Sequence, residues 1–180
     1  MKIVEAERNK MGIITVKEGL VSIEFERHLK HPADRVWKAI TNQDELSKWY
    51  LSKVNVDGGA GGSIDLWFMK THVYGKIIKW DPPRVFEHEW NIDPNDELPN
   101  GERTIVRWEL SEENDGTLVR LSHLNLSKKT AFGLTEGIEP ATSDHIILDR
   151  LKAFLNSEKL NIGTDWINHL RNEYRKASRI

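Results

Sequence analysis

Between Ser63 and His123 the chain alternates apolar with polar side chains in successive segments broken by turns. Successive side chains of a strand point to opposite faces, so this alternation describes strands with one dry face and one wet face. In "SIDLWF" Ile64, Leu66 and Phe68 share a side, and in "RVFEHEWNI" Phe86, His88, Trp90 and Ile92 do. "TIVRWEL" contributes Val106, Trp108 and Leu110, and "TLVRLSH", after the turn "ENDG", contributes Val119, Leu121 and His123. Strands joined by turns this short run antiparallel. The dry face of such a sheet needs a cover.

The segment "ATSDHIILDRLKAFLNSEK" supplies one. Ile147, Leu148, Leu151, Phe154 and Leu155 recur at helical spacing, and Thr142 or Ser143 is suited to cap the start. Asn161 or Gly163 then separates this helix from "TDWINHLRNEYRKA", which carries Trp166, Leu170 and Tyr174 on one side. Ahead of the sheet, "LVSIEFERHL" reads as a strand. Two short helices follow, one opened by Pro32 with Val36, Trp37 and Ile40 inward, the other with Leu46, Trp49 and Tyr50 on one face. The loop "IDPNDELPNGE" is the most polar interruption and is expected to be flexible. A length of 180 residues suits a single domain over 1–180, with no internal repeat or linker.

The glycines of "DGGAGG" invite comparison with a phosphate-binding loop. Such a loop opens a helix and ends in Gly-Lys-Ser/Thr, whereas here Gly62 leads into Ser63 and a strand. A tight turn is the better reading.

Lys plus Arg number 26 and Asp plus Glu 28, a net charge of -2 that gives no broad electrostatic attraction to nucleic acid or an anionic membrane. With no cysteine, disulfides, thiolate nucleophiles and cysteine-bound zinc are excluded. The charged N-terminus has no apolar core of a secretory signal, and no apolar run reaches the ~20 residues of a membrane helix. A soluble, cytoplasmic protein is expected. His28 and His31 lack a third ligand, so no metal site is expected, nor any cofactor. No Gly-x-Ser-x-Gly nucleophile elbow occurs.

The blocks "HPADRVWKAITNQDELSKWY", "GGSIDLWF", "GKIIKWDPPRVFEHEW", "VRWELSEENDGTLVRLSH" and "LDRL" together resemble the START-like, helix-grip superfamily. Within it they are similar to the C-terminal domain of activators of the heat-shock protein 90 ATPase. The resemblance covers about residues 11–157, leaving 158–180 as an additional C-terminal helix. It implies an α+β, helix-grip fold: a curved antiparallel sheet wrapped around a long C-terminal helix, with two short helices after the first strand. It further implies a cavity between sheet and helix, in a superfamily that includes lipid, hormone and flavonoid binders, polyketide cyclases and chaperone cofactors. Many relatives carry tryptophan where this chain has Asp144, a departure at one wall of that cavity.

On this reading the candidate ligand-binding residues are Leu66, Phe68, Phe86, His88, Trp90, Trp108, Leu121 and His123 from the sheet, closed by Ile147 and Leu151 from the helix. The partner expected is a small apolar or aromatic ligand of the lipid, polyketide or flavonoid kind, with the two histidines as polar anchors. The alternatives are a chaperone partner, and a cyclase or dehydratase using His88 or His123 as base; the nearest carboxylates in sequence, Glu87 and Glu89, alternate to the opposite face. The apolar stripe of the last helix must be buried, either on its own domain, which is favoured, or across a homodimer.

Overall fold

The computed structural model describes residues 3–5, 10–50, 53–68, 71–135 and 139–177. Its strands are β1 (Ile3–Glu5), β2 (Ile13–Lys17), β3 (Leu20–Leu29), β4 (Lys53–Asp57), β5 (Ser63–Phe68), β6 (Thr71–Asp81), β7 (Val85–Ile92), β8 (Glu102–Glu113), β9 (Gly116–Leu126) and β10 (Lys159–Asn161). The helices are α1 (Ala33–Thr41), α2 (Gln43–Trp49), α3 (Lys128–Phe132), α4 (Pro140–Leu155) and α5 (Thr164–Ala177). Eight strands form one antiparallel sheet in the order β2-β3-β9-β8-β7-β6-β5-β4, and β1 pairs in parallel with β10. This is the α+β, helix-grip architecture, with the sheet curved around α4.

The alternation read from the sequence sets the faces. Ile64, Leu66, Phe86, Val106, Trp108, Leu110, Val119 and Leu121 are buried in one core, while Glu87 and Arg107 pair on the outer face at 3.0 Å. The glycine-rich turn joins β4 to β5. Gly59 and Gly61 take positive φ, and a Cβ on Gly62 would meet the Asp57 carbonyl. The N–H of Gly61 donates to the Ile77 carbonyl of β6 and that of Gly62 to the Gly59 carbonyl, so both donors are spent on protein carbonyls rather than held out for a phosphate.

Asn42 separates the two short helices and caps the second, its Oδ1 accepting from Glu45 N at 3.1 Å. Trp49 Nε1 donates to the Ala39 carbonyl at 3.0 Å, fixing α2 against α1. Arg150 Nε of α4 donates to the Trp49 carbonyl, which ties the end of α2 to the central helix.

Several expectations are corrected. The central helix starts at Pro140, with Glu139 as the preceding residue, so Thr142 and Ser143 lie inside its first turn and do not cap it. Proline at that place has no N–H to leave unpaired, which is why the helix starts earlier than the hydroxyl residues suggest. It ends at Leu155, before Asn161 and Gly163, and β10 intervenes. It is also buried on more than one side: Ile146 and His145 are covered as fully as Leu151, with Trp166 and Tyr174 of α5 and Phe25 of β3 packed around His145. β1, β2, β4, β10 and α3 add to the elements read from the sequence.

The stripe on α5 is buried within its own chain. Trp166 packs edge-on against His145, and Tyr174 Oη lies 2.9 Å from His145 Nδ1 and accepts from Gly12 N at 3.0 Å. Arg171 and Arg175 of α5 both reach the buried Glu139, at 3.0 and 2.9 Å. Burial raises the Glu139 carboxyl, but hydrogen bonds from the two guanidinium groups outweigh it and hold it below the usual carboxylate range.

Candidate functional site: a cavity between the sheet and the central helix

β6, β7, β8 and β9 bring Val73, Trp90, Thr104 and His123 to one end of the dry face, and α4 lays Ser143 and Ile147 across them. Between these elements is a cavity of about 110 Å³. Tyr50 at the end of α2, Leu98 of the loop after β7, and Leu126 and Thr130 around α3 complete its wall. Most of the surface is apolar. Exposed Asn95 marks where it meets solvent.

The loop expected to be flexible is tied down here. Asn95 Oδ1 accepts from the backbone N–H of Glu97 and Leu98, Asn95 N donates to the Leu98 carbonyl, and Leu98 is buried at the cavity mouth. An asparagine closing its own backbone turn makes a polar sequence compact.

The sequence-derived wall divides into parts. Trp90, His123 and Ile147 line the cavity. Leu66, Phe86, His88 and Trp108 surround a separate void of only about 10 Å³, room for one water at most. Leu121 and Leu151 are packed in the core and line neither space. The side chain of Phe68 lies outside the described residues.

The two histidines differ. His88 Nδ1 donates to the Glu89 carbonyl at 2.9 Å. Burial, which that bond only partly offsets and to which neighbouring His123 adds, pushes His88 down to about 4, so it is neutral at pH 7. His123 is engaged at both ring nitrogens. Its Nδ1 donates to Asp144 Oδ2 at 3.2 Å, and Nε2 lies 2.9 Å from Thr104 Oγ1, whose hydroxyl donates to the Trp90 carbonyl at 3.0 Å. The imidazole therefore joins β7, β8, β9 and α4. Neither ring nitrogen is left over for a ligand. Tyr50 stays a neutral phenol, pushed far up by burial and then by the Asp144 charge.

Sequence reasoning passed over Glu102, Thr104, Leu98 and Thr130, and marked Asp144 only as a departure from the tryptophan of many relatives. For two of these a signal existed: Glu102 and Thr104 have the same parity as Val106 and Trp108, so extending the alternation by two positions places both inside. Asp144 gave no such signal, because its pairing spans 21 residues. His28 and His31 face different partners: His28 sits beside Glu113 and Asp115, and His31 Nε2 donates to Asn156. Among the described residues no three His, Asp or Glu side chains gather as metal ligands, and no helix is long and apolar enough to cross a membrane.

The family model described as activator of Hsp90 ATPase homolog 1-like protein matches residues 30–156, and the chain belongs to that family. Among solved structures it is similar to CalU16 from Micromonospora echinospora, with 22% identity, 94% of each chain covered and a TM-score of 0.68. It is also similar to the conserved protein EF2215 from Enterococcus faecalis, with 14% identity, coverage of 93% and 90%, and a TM-score of 0.71. A third is the Aha1 dimer from Colwellia psychrerythraea, with 21% identity, coverage of 76% of this chain and 96% of that one, and a TM-score of 0.62. At such identities the likeness establishes the fold. No curated protein matches the chain.

Proposed function

We propose that this protein binds a small apolar or aromatic ligand in the cavity between its sheet and α4. The observation that carries this reading is the cavity itself: about 110 Å³ walled by Trp90, Ile147, Val73 and Leu126, with a few polar groups at one end. Its size sets a limit. An apolar cavity of about 150 Å³ holds benzene. At about 110 Å³ this cavity is smaller, so the ligand inserts at most a single ring or short chain, and any larger lipid, polyketide or flavonoid extends past Asn95.

Binding is favoured over catalysis by the hydrogen-bond pattern. A general base needs a free nitrogen within reach of substrate. His123 has both nitrogens committed to protein groups, and His88 borders a void too small for a substrate. The chaperone-partner reading draws on the family description and on the Colwellia relative, titled an Aha1 dimer. Co-purification with the cognate ninety-kilodalton chaperone and stimulation of its ATPase would support it; we expect neither.

The test is native mass spectrometry of the purified chain against a mixed library, repeated with Ile147→Trp, which fills the cavity. Ligands retained by the unaltered chain and lost from the variant support the reading. Equal retention by both, or no ligand retained at all, counts against it.

A further inference from the structure

Glu102 is a buried acid, 8% exposed, that lines the cavity from the first residue of β8. Its carboxylate accepts from Ser127 N at 3.2 Å, from Ser127 Oγ at 2.7 Å and from Thr130 Oγ1. All three donors are neutral, and among the described residues no lysine, arginine or histidine pairs with it. Nor, among the described residues, does any lysine or arginine line the cavity. The contrast with Glu139 is direct, since that buried acid meets two guanidinium groups.

A carboxylate offers about four acceptor positions. Three of Glu102's are filled by groups that stabilise α3, which leaves one acceptor position and, among the described residues, no cation beside it. Buried acids are ordinarily paired, because desolvating a lone charge is costly. A partner supplied by the ligand would satisfy both. Trp90 and Tyr50 in the same wall suit the apolar body, and an aromatic lining favours a cation over an anion.

Resting on the ligand-binding reading above, we propose that the cavity selects ligands carrying a protonated amine, with Glu102 as the anchor for that group, and rejects carboxylates. Fatty acids and other anionic lipids are thereby excluded. Amines with a single ring or short alkyl chain are the ligand class that fits.

Three probes of nearly equal shape test this: benzylamine, which is protonated at pH 7, benzyl alcohol and benzoate, each titrated into the full chain by calorimetry. The expected order is benzylammonium, then benzyl alcohol, then benzoate, with at least about tenfold between the first and last. In Glu102→Gln the three fall within about threefold of one another. Benzoate binding as tightly as benzylammonium overturns the proposal while benzyl alcohol binding leaves the ligand reading standing. An unchanged order in Glu102→Gln also overturns it and reduces Glu102 to a cap for α3. If none of the three binds, both readings fall. The ranking on the unaltered chain needs no variant, so a destabilised Glu102→Gln does not spoil the test.

Discussion

His123 Nδ1 lies 3.2 Å from Asp144 Oδ2, and this contact joins the end of the sheet to the first turn of the central helix. Both side chains are buried, with Thr104 closing the far side of the imidazole. Removing one member of a buried polar pair leaves the other without a partner, at roughly 1–3 kcal/mol. Asp144→Leu and His123→Leu should each be destabilising on that scale. Because two apolar residues leave nothing unpaired, the double variant should cost clearly less than the sum of the singles. Urea unfolding of the four proteins measures the coupling. Additive losses would mean that the contact does not hold α4 to the sheet.

Thr104→Val keeps the shape of the side chain and removes the hydroxyl that serves both the Trp90 carbonyl and His123 Nε2. We expect a loss of about 1–3 kcal/mol, the usual cost of leaving a buried polar group unsatisfied. Ile147→Val, at the opposite wall, should cost about 0.5–1.5 kcal/mol. Equal and negligible effects at both positions would contradict the view that the polar side of the cavity is the more tightly specified.

The difference between those two walls also explains what could be read from the sequence. Trp90 and Ile147 announce themselves through local periodicity, two in a strand and three or four in a helix, and both line the cavity. Leu121 and Leu151 follow the same periodicities and are plain core, because alternation gives a side chain its face but not whether a gap lies opposite. The cavity lies at the end where Tyr50, Leu98 and Thr130 arrive from a helix end, a loop and a short helix. The His123–Asp144 pair needs two elements to meet, and no local pattern contains that. Asp144 was visible as a departure from tryptophan, yet its role follows only from its neighbour.

His88 supplies a pH dependence with a definite sign. Its folded-state value is lowered to about 4 from 6.5, chiefly by burial, so between those limits the unfolded chain binds a proton that the folded chain refuses. Stability from this group is complete above about pH 6.5 and falls as the pH drops toward 4, by about 2 kcal/mol at pH 5. Substituting His88→Gln removes this dependence. Urea midpoints at pH 7.5 and 5 for the two proteins give the comparison, and an equal drop in both would show that His88 is not responsible.

Glu139 should confer an acid sensitivity of a different kind, confined to α5. Its carboxyl is held below the ordinary carboxylate value by Arg171 and Arg175 despite its burial, so the stability it contributes is present above about pH 4.5 and is lost as the pH falls through its lowered folded value. Protonation removes the charge that holds both arginines, while the apolar contacts of Trp166, Leu170 and Tyr174 remain. The helix should therefore loosen before the sheet does. Hydrogen exchange resolved to residues 164–177 should quicken on acidification, after correction for intrinsic rates, while β8 and β9 stay protected. In Glu139→Gln the arginines have lost that carboxylate at every pH, so exchange in α5 should be faster at pH 7 and change little on acidification. Because the stripe is buried within one chain, light scattering should report no dimer built on this helix, and removing residues 162–180 should destabilise the domain without dissociating an oligomer. A full-length dimer that becomes a monomer on truncation would show instead that the helix exchanges between chains.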